Sequence, residues 1–160
     1  NTGLGCVGNM GSEQRLAYSV LGDTVNTASR LESLSPAYFV DLVLSEETAA
    51  DAADFALLEL DQVKVKGKAS PIRLFTCLGF EAYAARPEYK ALRERHDRML
   101  AAYRAQDWAG AEAARQECVE VAPERLRPFY GLYEKRIAEF RADPPGAEWD
   151  GVYVAKSKTG

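Results

Sequence analysis

A helix-forming stretch near the start of the chain carries an amide and a guanidinium four residues apart. Asn26 and Arg30 lie in YSVLGDTVNTASRLES, just after a Gly-Asp turn, and residues at i and i+4 share one face of a helix. Asn26 offers two donors and an acceptor and Arg30 a rigid fork of donors, which suits a phosphate ester joined to a ribose. Spacing alone also fits a solvated polar face, with Asp23 as the helix cap. The apolar residues of the stretch fall on a different face, suited to packing on a sheet: Val25, Ala28 and Leu31.

The sequence does not favour a phosphate-binding loop, a cysteine metal or redox motif, or a histidine ligand. The glycine-rich opening has no G-K-[ST] ending and no Rossmann spacing before a helix, so its glycines indicate turns and bulges. Cys6, Cys77 and Cys118 are too far apart for a short metal or redox motif, and we interpret them as reduced thiols. His96, the only histidine, lies on a helical stripe and is interpreted as a packed residue.

Composition narrows the class of protein. The 160 residues suffice for one domain of moderate size or one domain with an appendage. Hydrophobic content of 47% and charged content of 28% are ordinary for a globular protein. A net charge of −4 argues against general nucleic-acid binding. We see no apolar run near the roughly 18 residues that span a bilayer and no signal peptide. The abrupt start at Asn1 leads us to expect a piece of a longer protein.

The elements that would position Asn26 and Arg30 are short strands and helices in residues 1 to about 80. Segments GLGCVGNMGS and RLAYSVLG predict two strands, followed by a helix from about Thr24 to Leu34. YFVDLVLS predicts a third strand, and SEETAADA a short helix capped by Ser45. FALLELDQVKVKG and PIRLFTCLG predict two strands joined at Lys66-Gly67-Lys68. This interleaving predicts an α/β or α+β layer with helices on one face of the sheet.

Residues 81 to about 143 have helical periodicity instead. The first apolar stripe consists of Tyr89, Leu92, His96, Met99 and Tyr103. Asp107 is predicted to cap a second helix that ends before Pro123, and a third stripe runs from Phe129 to Phe140. Short connections predict antiparallel neighbours, and the pair around Trp108 resembles a tetratricopeptide-like hairpin. WDGVYVAKS predicts a last strand or an extended arm.

The first part of the chain resembles a known enzyme family. NTGLGCVGNMGSEQRLAYSVLGDTVNTASRLES is similar to the second half of the class III adenylate/guanylate cyclase catalytic domain, and VKVKGKASPIRLF resembles the strand-turn-strand that closes it. The resemblance implies an α+β fold with a partial ferredoxin-like cyclase sheet in residues 1–80. A helical extension over 81–160 would follow, of the kind found in some bacterial membrane-anchored cyclases.

That resemblance also implies an activity. Two such catalytic domains form a head-to-tail dimer with active sites at the interface. Two Mg²⁺ or Mn²⁺ ions, held by aspartates, activate the ribose 3′-hydroxyl of ATP for in-line attack on the α-phosphorus, which releases pyrophosphate and closes the cyclic nucleotide. Positioning and charge stabilisation dominate such chemistry. We expect the metal aspartates, and a lysine that helps read adenine, upstream of Asn1, so that this chain alone is inactive and contributes no metal ligand.

Five residues match positions with a role in the family. Asn26 matches the ribose-orienting asparagine and Arg30 the arginine that stabilises charge on the reacting phosphorus. Lys66 matches a lysine that reaches the terminal phosphates, and Arg15 is a candidate for the triphosphate across the dimer; both also fit as surface charges. Ser19 occupies the base-recognising position, where a hydroxyl serves either adenine or guanine.

The sequence leaves more than one function open. YSVLGD resembles bacterial adenylate cyclases, so we expect ATP and cyclic AMP, with a guanylate cyclase as the alternative. A non-catalytic nucleotide-binding or interaction module is the other alternative, since the apolar stripes of the helical part could dock a partner instead of packing on the rest of the chain. We expect a cytoplasmic domain of a parent protein that is membrane-anchored upstream.

Overall fold

A hairpin opens the fold. The structure is a computed structural model that describes residues 1–12, 15–64 and 70–153, apart from the side chains at positions 12, 15 and 16. Strands β1 (Cys6–Ser12) and β2 (Arg15–Leu21) pair antiparallel, with Gly8 opposite Ser19. Both strands, predicted in GLGCVGNMGS and RLAYSVLG, are confirmed.

The helix that carries Asn26 and Arg30 follows directly. Helix α1 (Asp23–Glu32) confirms the predicted helix to within two residues at its C-terminal end. A second short helix, α2 (Ser35–Tyr38), follows it. The predicted strand in YFVDLVLS is wrong except for Leu44–Ser45, which form β3. Its first residue is helical instead, because the Tyr38 N–H bonds back to the Leu34 carbonyl at 3.4 Å, and Phe39 then turns the chain with φ 57°.

The main sheet is small and antiparallel. Its order is β3-β5-β4. The Ser45 hydroxyl accepts from the Thr48 N–H at 3.4 Å, which confirms the predicted cap of the short helix. The two long strands are confirmed, while their predicted connection at Lys66-Gly67-Lys68 lies outside the described residues. The elements are α3 (Glu46–Asp51), β4 (Ala56–Val63) and β5 (Ile72–Gly79).

The second half of the described chain is helical, as the stripes predicted. Asp107 caps the second long helix through a 2.9 Å hydrogen bond from the Gly110 N–H. Consecutive long helices run antiparallel. The end of α5 contacts the start of α6 through the rings of Tyr103 and Trp108, while Arg98, earlier in α5, pairs with Glu117, later in α6. The start of α6 in turn contacts the end of α7 through the rings of Trp108 and Phe140. The helices are α4 (Glu81–Ala84), α5 (Pro87–Arg104), α6 (Trp108–Val121), a 3-10 turn (Glu124–Leu126) and α7 (Arg127–Ala142).

One hydrophobic cluster joins both halves of the chain. Leu31, Leu58 and Leu74 from the first half share it with Met99 and Phe129 from the helices. Every residue of the first stripe is buried, so that stripe packs inside the protein and is not a free docking surface. The proposed division near residue 80 stays a prediction, as does the tetratricopeptide-like character of the hairpin. The fold is of the mixed α+β type, with small sheets and several helices.

The end of the described chain is an arm without strand pairing up to Tyr153. Trp149 lies against Tyr103, Trp108 and Phe140, with ring centroids 5.1–5.9 Å apart. The arm is therefore held by aromatic contacts and not by a sheet. Among the described helices, none is long and apolar enough to cross a membrane.

Candidate functional site

The two polar residues of α1 point away from the core. Asn26 and Arg30 are both exposed, while Thr27 and Leu31 are buried to 3% and 1% exposure. Since all four lie within about one and a half turns, the helix has an inner face and an outer face, as the spacing predicted. The outer face places an amide and a guanidinium side by side, both exposed at the surface of the described chain.

Gly22 sets the direction in which α1 leaves the hairpin. It is the residue before the first helical turn, with φ 149°, a conformation that residues with a side chain rarely adopt. A Cβ there would lie 3.2 Å from the Leu4 carbonyl oxygen. The predicted cap by Asp23 is wrong, because Gly22 occupies that position and no side chain caps the helix. Asp23 is instead the first helical residue, and its negative charge interacts favourably with the positive end of the helix dipole.

The N-terminal segment holds the start of α1 in place. The Thr24 hydroxyl donates to the Leu4 carbonyl at 2.8 Å, and the Asn1 side-chain amide donates to the Thr24 carbonyl at 2.8 Å. Both hydrogen bonds are made at Thr24, two residues before Asn26. Residues 1–4 therefore help to fix the position of the first turn of α1, and with it the exposed polar side chains, relative to the hairpin.

The remaining predicted site residues are distributed over other parts of the chain. Ser19 is exposed on β2, three residues before Gly22, so the hairpin and α1 present it and Asn26 from adjoining elements. Arg15 begins β2, but its side chain is not described, and Lys66 lies outside the described residues. Of the five, the structure thus places Asn26 and Arg30 on one helix face and Ser19 on the adjoining strand.

A metal site is not found in the described part of the chain. No three His, Cys, Asp or Glu side chains there come close enough together to hold an ion. The residues at hand therefore do not fit the pair of metal ions that nucleotide cyclases generally use, and we derive no step through a metal.

Sequence reasoning missed two buried carboxylates on β4. Glu59 forms ion pairs with Arg73 and Arg104. Burial alone would raise the pKa of Glu59, but the hydrogen bonds from the two arginines hold that pKa below its ordinary value. Asp61 pairs with Arg136 of α7 at 2.7 Å. The available signal was the pattern ALLELDQV, since acids inside an otherwise apolar strand require charged partners when they are buried.

The comparison with protein families gives one match. Residues 1–78 match the adenylate and guanylate cyclase catalytic domain, the family that the sequence resemblance indicated. The matched range contains the hairpin, α1 and the main sheet and ends one residue before the end of β5. The resemblance is therefore confirmed for the part of the chain in which it was seen.

Related proteins with assigned names point the same way. The chain is 34% identical over 80 residues to adenylate cyclase 1 of Rhizobium meliloti, which covers 49% of this chain and 12% of that protein. It is 34% identical over 73 residues to an adenylate cyclase of Anabaena cylindrica, covering 43% of this chain and 14% of that one. It is also 27% identical over 127 residues to the terminal-differentiation-specific adenylate cyclase of Dictyostelium discoideum.

These matches differ in how far they extend. The Dictyostelium match covers 77% of this chain and so continues past residue 80 into the helices, but it covers 6% of that protein. In each case the chain spans a small part of the relative. The similarity to a cyclase therefore includes some of the helical half.

Proposed function

We propose that the chain is part of an adenylate cyclase, because residues 1–78 match the adenylate and guanylate cyclase catalytic domain. The reaction would convert ATP to 3′,5′-cyclic AMP and pyrophosphate. The names of the three relatives support adenylate over guanylate chemistry. The alternatives are a guanylate cyclase and a module that binds nucleotide without turnover.

The outward face of α1 is the observation that carries the proposal. Asn26 and Arg30 are exposed one helical turn apart, with the buried Leu31 anchoring the opposite face. Both side chains lie on the exposed face of α1, where a nucleotide in a cleft between subunits would meet them. Asn26 would hydrogen-bond the ribose and fix the direction of its 3′-hydroxyl. Arg30 would donate to the phosphate oxygens as negative charge grows during attack on the α-phosphorus.

The remaining three residues complete the proposed substrate contacts. Ser19 would meet the base, where its hydroxyl accepts or donates a hydrogen bond. Lys66 and Arg15 would meet the triphosphate as cations, Arg15 from the opposite subunit. The exposure of Ser19 on β2, beside the turn into α1, supports a base site next to the ribose site.

The proposed catalytic unit is a homodimer with composite sites. Cyclase catalytic domains in general bind ATP and act as dimers. The hairpin supports this arrangement for the present chain, because its exposed apolar residues require cover in the working enzyme. These residues are Val7, Tyr18, Val20 and Leu21.

The metal ions, Mg²⁺ or Mn²⁺, would be held by aspartates in sequence that precedes Asn1, which is where the resemblance puts them.

We also propose that the chain works in the cytoplasm, which supplies ATP and keeps thiols reduced. Cys6, Cys77 and Cys118 are all free thiols. Anchoring of the parent protein in the inner membrane, upstream of this chain, is part of the same proposal. For the fold, we propose that the sheet is part of a ferredoxin-like cyclase sheet and that the helical pair around Trp108 is a tetratricopeptide-like hairpin.

The proposal is tested by product formation in the parent protein with its preceding sequence. Arg30→Ala and Asn26→Ala should each lower kcat for cyclic AMP by about 10²- to 10³-fold, because each removes a group that acts on the transition state. Cyclic AMP and cyclic GMP are quantified with ATP and GTP as competing substrates. The 160-residue chain alone is expected to form neither product.

Glu32→Gln is the matched control, since Glu32 is exposed at the end of the same helix and lies outside the proposed site. It should leave kcat unchanged. Turnover that survives both site substitutions would contradict the assigned roles. Nucleotide binding without any product would favour the non-catalytic alternative, and a preference for GTP would favour the guanylate one.

A further inference from the structure

A buried carboxylate joins three elements that are far apart in the chain. Asp61 on β4 is 2% exposed and accepts two hydrogen bonds on the same oxygen, Oδ2. One comes from the Tyr38 hydroxyl at 2.7 Å and the other from Nη1 of Arg136 at 2.7 Å. Tyr38 ends α2 and Arg136 lies in α7, so this Asp61 network (Tyr38, Asp61 and Arg136) connects the helical extension to the segment after α1.

The guanidinium of Arg136 is held by more than its ion pair. Its central carbon lies 4.2 Å from the ring centroid of Tyr153, 5.4 Å from that of Tyr133 and 5.7 Å from that of Tyr38. Burial would lower the pKa of Arg136, but the charge of Asp61 holds that pKa above its ordinary value. The guanidinium therefore stays charged, and its ion pair with Asp61 and the three surrounding rings hold it in place.

Stability alone does not account for this arrangement. Burying two charges costs free energy, and apolar side chains of similar volume often replace a buried ion pair without loss of stability. The Nε of Arg136 also finds no hydrogen-bond partner among the described residues, although it is buried. What the network does supply is a fixed distance and direction between β4, α2 and α7.

The position of Tyr38 is transmitted to α1 through a helical connection. Ser33 and Leu34, between the two helices, both have right-handed helical backbone angles. The Leu34 N–H bonds to the Leu31 carbonyl at 3.0 Å, and the Tyr38 N–H to the Leu34 carbonyl at 3.4 Å. The two helices are therefore joined through Leu34, and Tyr38 follows Arg30 by about 12 Å at the rise of a helix. A shift of Tyr38 would move α1 with it.

We propose that Tyr38 and Arg136 are positioning residues, through which the helical extension sets the orientation of the Asn26 and Arg30 face. The inference rests on the proposed function for its catalytic consequence, but its structural part does not. The extension then has a defined role in the reaction: α7 fixes the end of α2, the short helix that follows the one carrying the proposed transition-state arginine. Misplacing such a group by about 1 Å is enough to slow catalysis by about 10²-fold.

The structural part is tested by hydrogen exchange on the full 160-residue chain. Tyr38→Phe removes the donor to Asp61 and keeps the ring, and Arg136→Lys keeps the charge and loses the fork. Both should speed amide exchange in α1 by about tenfold relative to β5, as expected for losing a hydrogen bond to a charged group. Tyr133→Phe is the matched control, because Tyr133 donates a buried 2.7 Å hydrogen bond to the Leu60 carbonyl on the same strand.

The control should leave the ratio of α1 to β5 exchange unchanged. Equal ratios in all three variants would overturn the inference, as would a uniform rise in exchange over every helix and strand. If Arg136→Lys does not fold, Tyr38→Phe decides the question by itself. None of these outcomes depends on cyclase activity, so they are distinguishable from a failure of the proposed function.

The catalytic part is tested in the parent protein. Tyr38→Phe should lower kcat by about tenfold with the KM for ATP within about twofold, because substrate contacts remain and only their alignment changes. Tyr133→Phe should leave both constants near those of the unmodified protein. An equal loss of kcat in both variants would indicate a general structural effect and contradict a positioning role.

Discussion

His96 is a residue whose chemistry is decided by burial. It is fully buried, and its Nε2 donates to the Glu59 carbonyl at 2.6 Å while Nδ1 accepts from the Tyr130 hydroxyl at 3.1 Å. Burial lowers its pKa from 6.5 to about 4. The interpretation of His96 as a packed residue is therefore confirmed, and its neutral form is part of the native structure.

This lowered pKa predicts a pH-dependent stability. The unfolded chain binds a proton near pH 6.5 and the folded chain only near pH 4, so the stabilisation is complete above pH 6.5 and is lost as pH falls towards 4. The loss amounts to about 3 kcal/mol at most. Urea titrations between about pH 7 and pH 5 should therefore show a falling free energy of unfolding.

His96→Gln is the control, because glutamine keeps a donor for the Glu59 carbonyl and does not titrate. Its free energy of unfolding should fall less over the same range. Burial raises the pKa of Asp97, which acts in the opposite direction, but that effect is common to both proteins. Identical slopes for the two proteins would contradict the assignment.

Sequence reasoning succeeds at this scale where the signal is local. The spacing of Asn26 and Arg30 predicts a shared outer face because helix geometry alone decides it. The cap assigned to Asp23 is wrong because the chain needs a glycine conformation one residue earlier. The pairing of Asp61 with Arg136 spans 75 residues, and no local pattern indicates which of several arginines reaches a buried acid.

At the scale of elements, the edge of β4 is covered by the helices. In a three-stranded sheet with order β3-β5-β4, the outer side of β4 has no strand partner among the described residues. Its carbonyl groups are bound by helix side chains instead: Tyr89 to Leu57 at 2.6 Å, His96 to Glu59 at 2.6 Å and Tyr133 to Leu60 at 2.7 Å. Side chains of the helices therefore satisfy carbonyl groups on this edge that a neighbouring strand would otherwise bind.

Removing the helices should thus abolish folding of the first half. A chain of residues 1–80 would lose these three donors, Arg104 and Arg136, which pair with Glu59 and Asp61, and much of the hydrophobic cluster. We expect no cooperative thermal unfolding by circular dichroism and aggregation by light scattering. A chain of residues 1–153 retains every described contact and should unfold cooperatively. A monomeric, cooperatively folded 1–80 chain would instead support an independent first domain.

Element prediction follows the strength of the pattern. The long strands and the three long helices are predicted because their apolar periodicity extends over many residues. YFVDLVLS has the composition of a strand, but its first residue completes the helical turn that Ser35 and Pro36 begin, and a left-handed Phe39 follows. The amino-acid composition of this segment does not distinguish the last turn of a short helix from the first residues of a strand.

At the scale of the whole molecule, the hairpin stands apart from the rest. Its strands pair with each other in a sheet of two strands, separate from the main sheet. Tyr18 is 76% exposed and Leu21 60% exposed. Apolar side chains of this size on an open two-stranded sheet favour association, because burying each one releases about 1.5–3 kcal/mol.

We therefore predict that the isolated chain self-associates through the hairpin. Sedimentation velocity in reducing buffer, which prevents a disulfide at the exposed Cys6, should show a weight-average mass that rises with concentration. Leu21→Lys should weaken the association by about tenfold or more, since it replaces buried apolar area with a charge. Phe80→Ser is the matched control: Phe80 is 71% exposed but follows β5, away from the hairpin. Association that Phe80→Ser weakens as much as Leu21→Lys would place the interface elsewhere, and a chain that stays monomeric at all concentrations would contradict the prediction. If Leu21→Lys alone shifts the equilibrium, the surface next to the Asn26 and Arg30 face is the one that joins two copies, as a composite site requires.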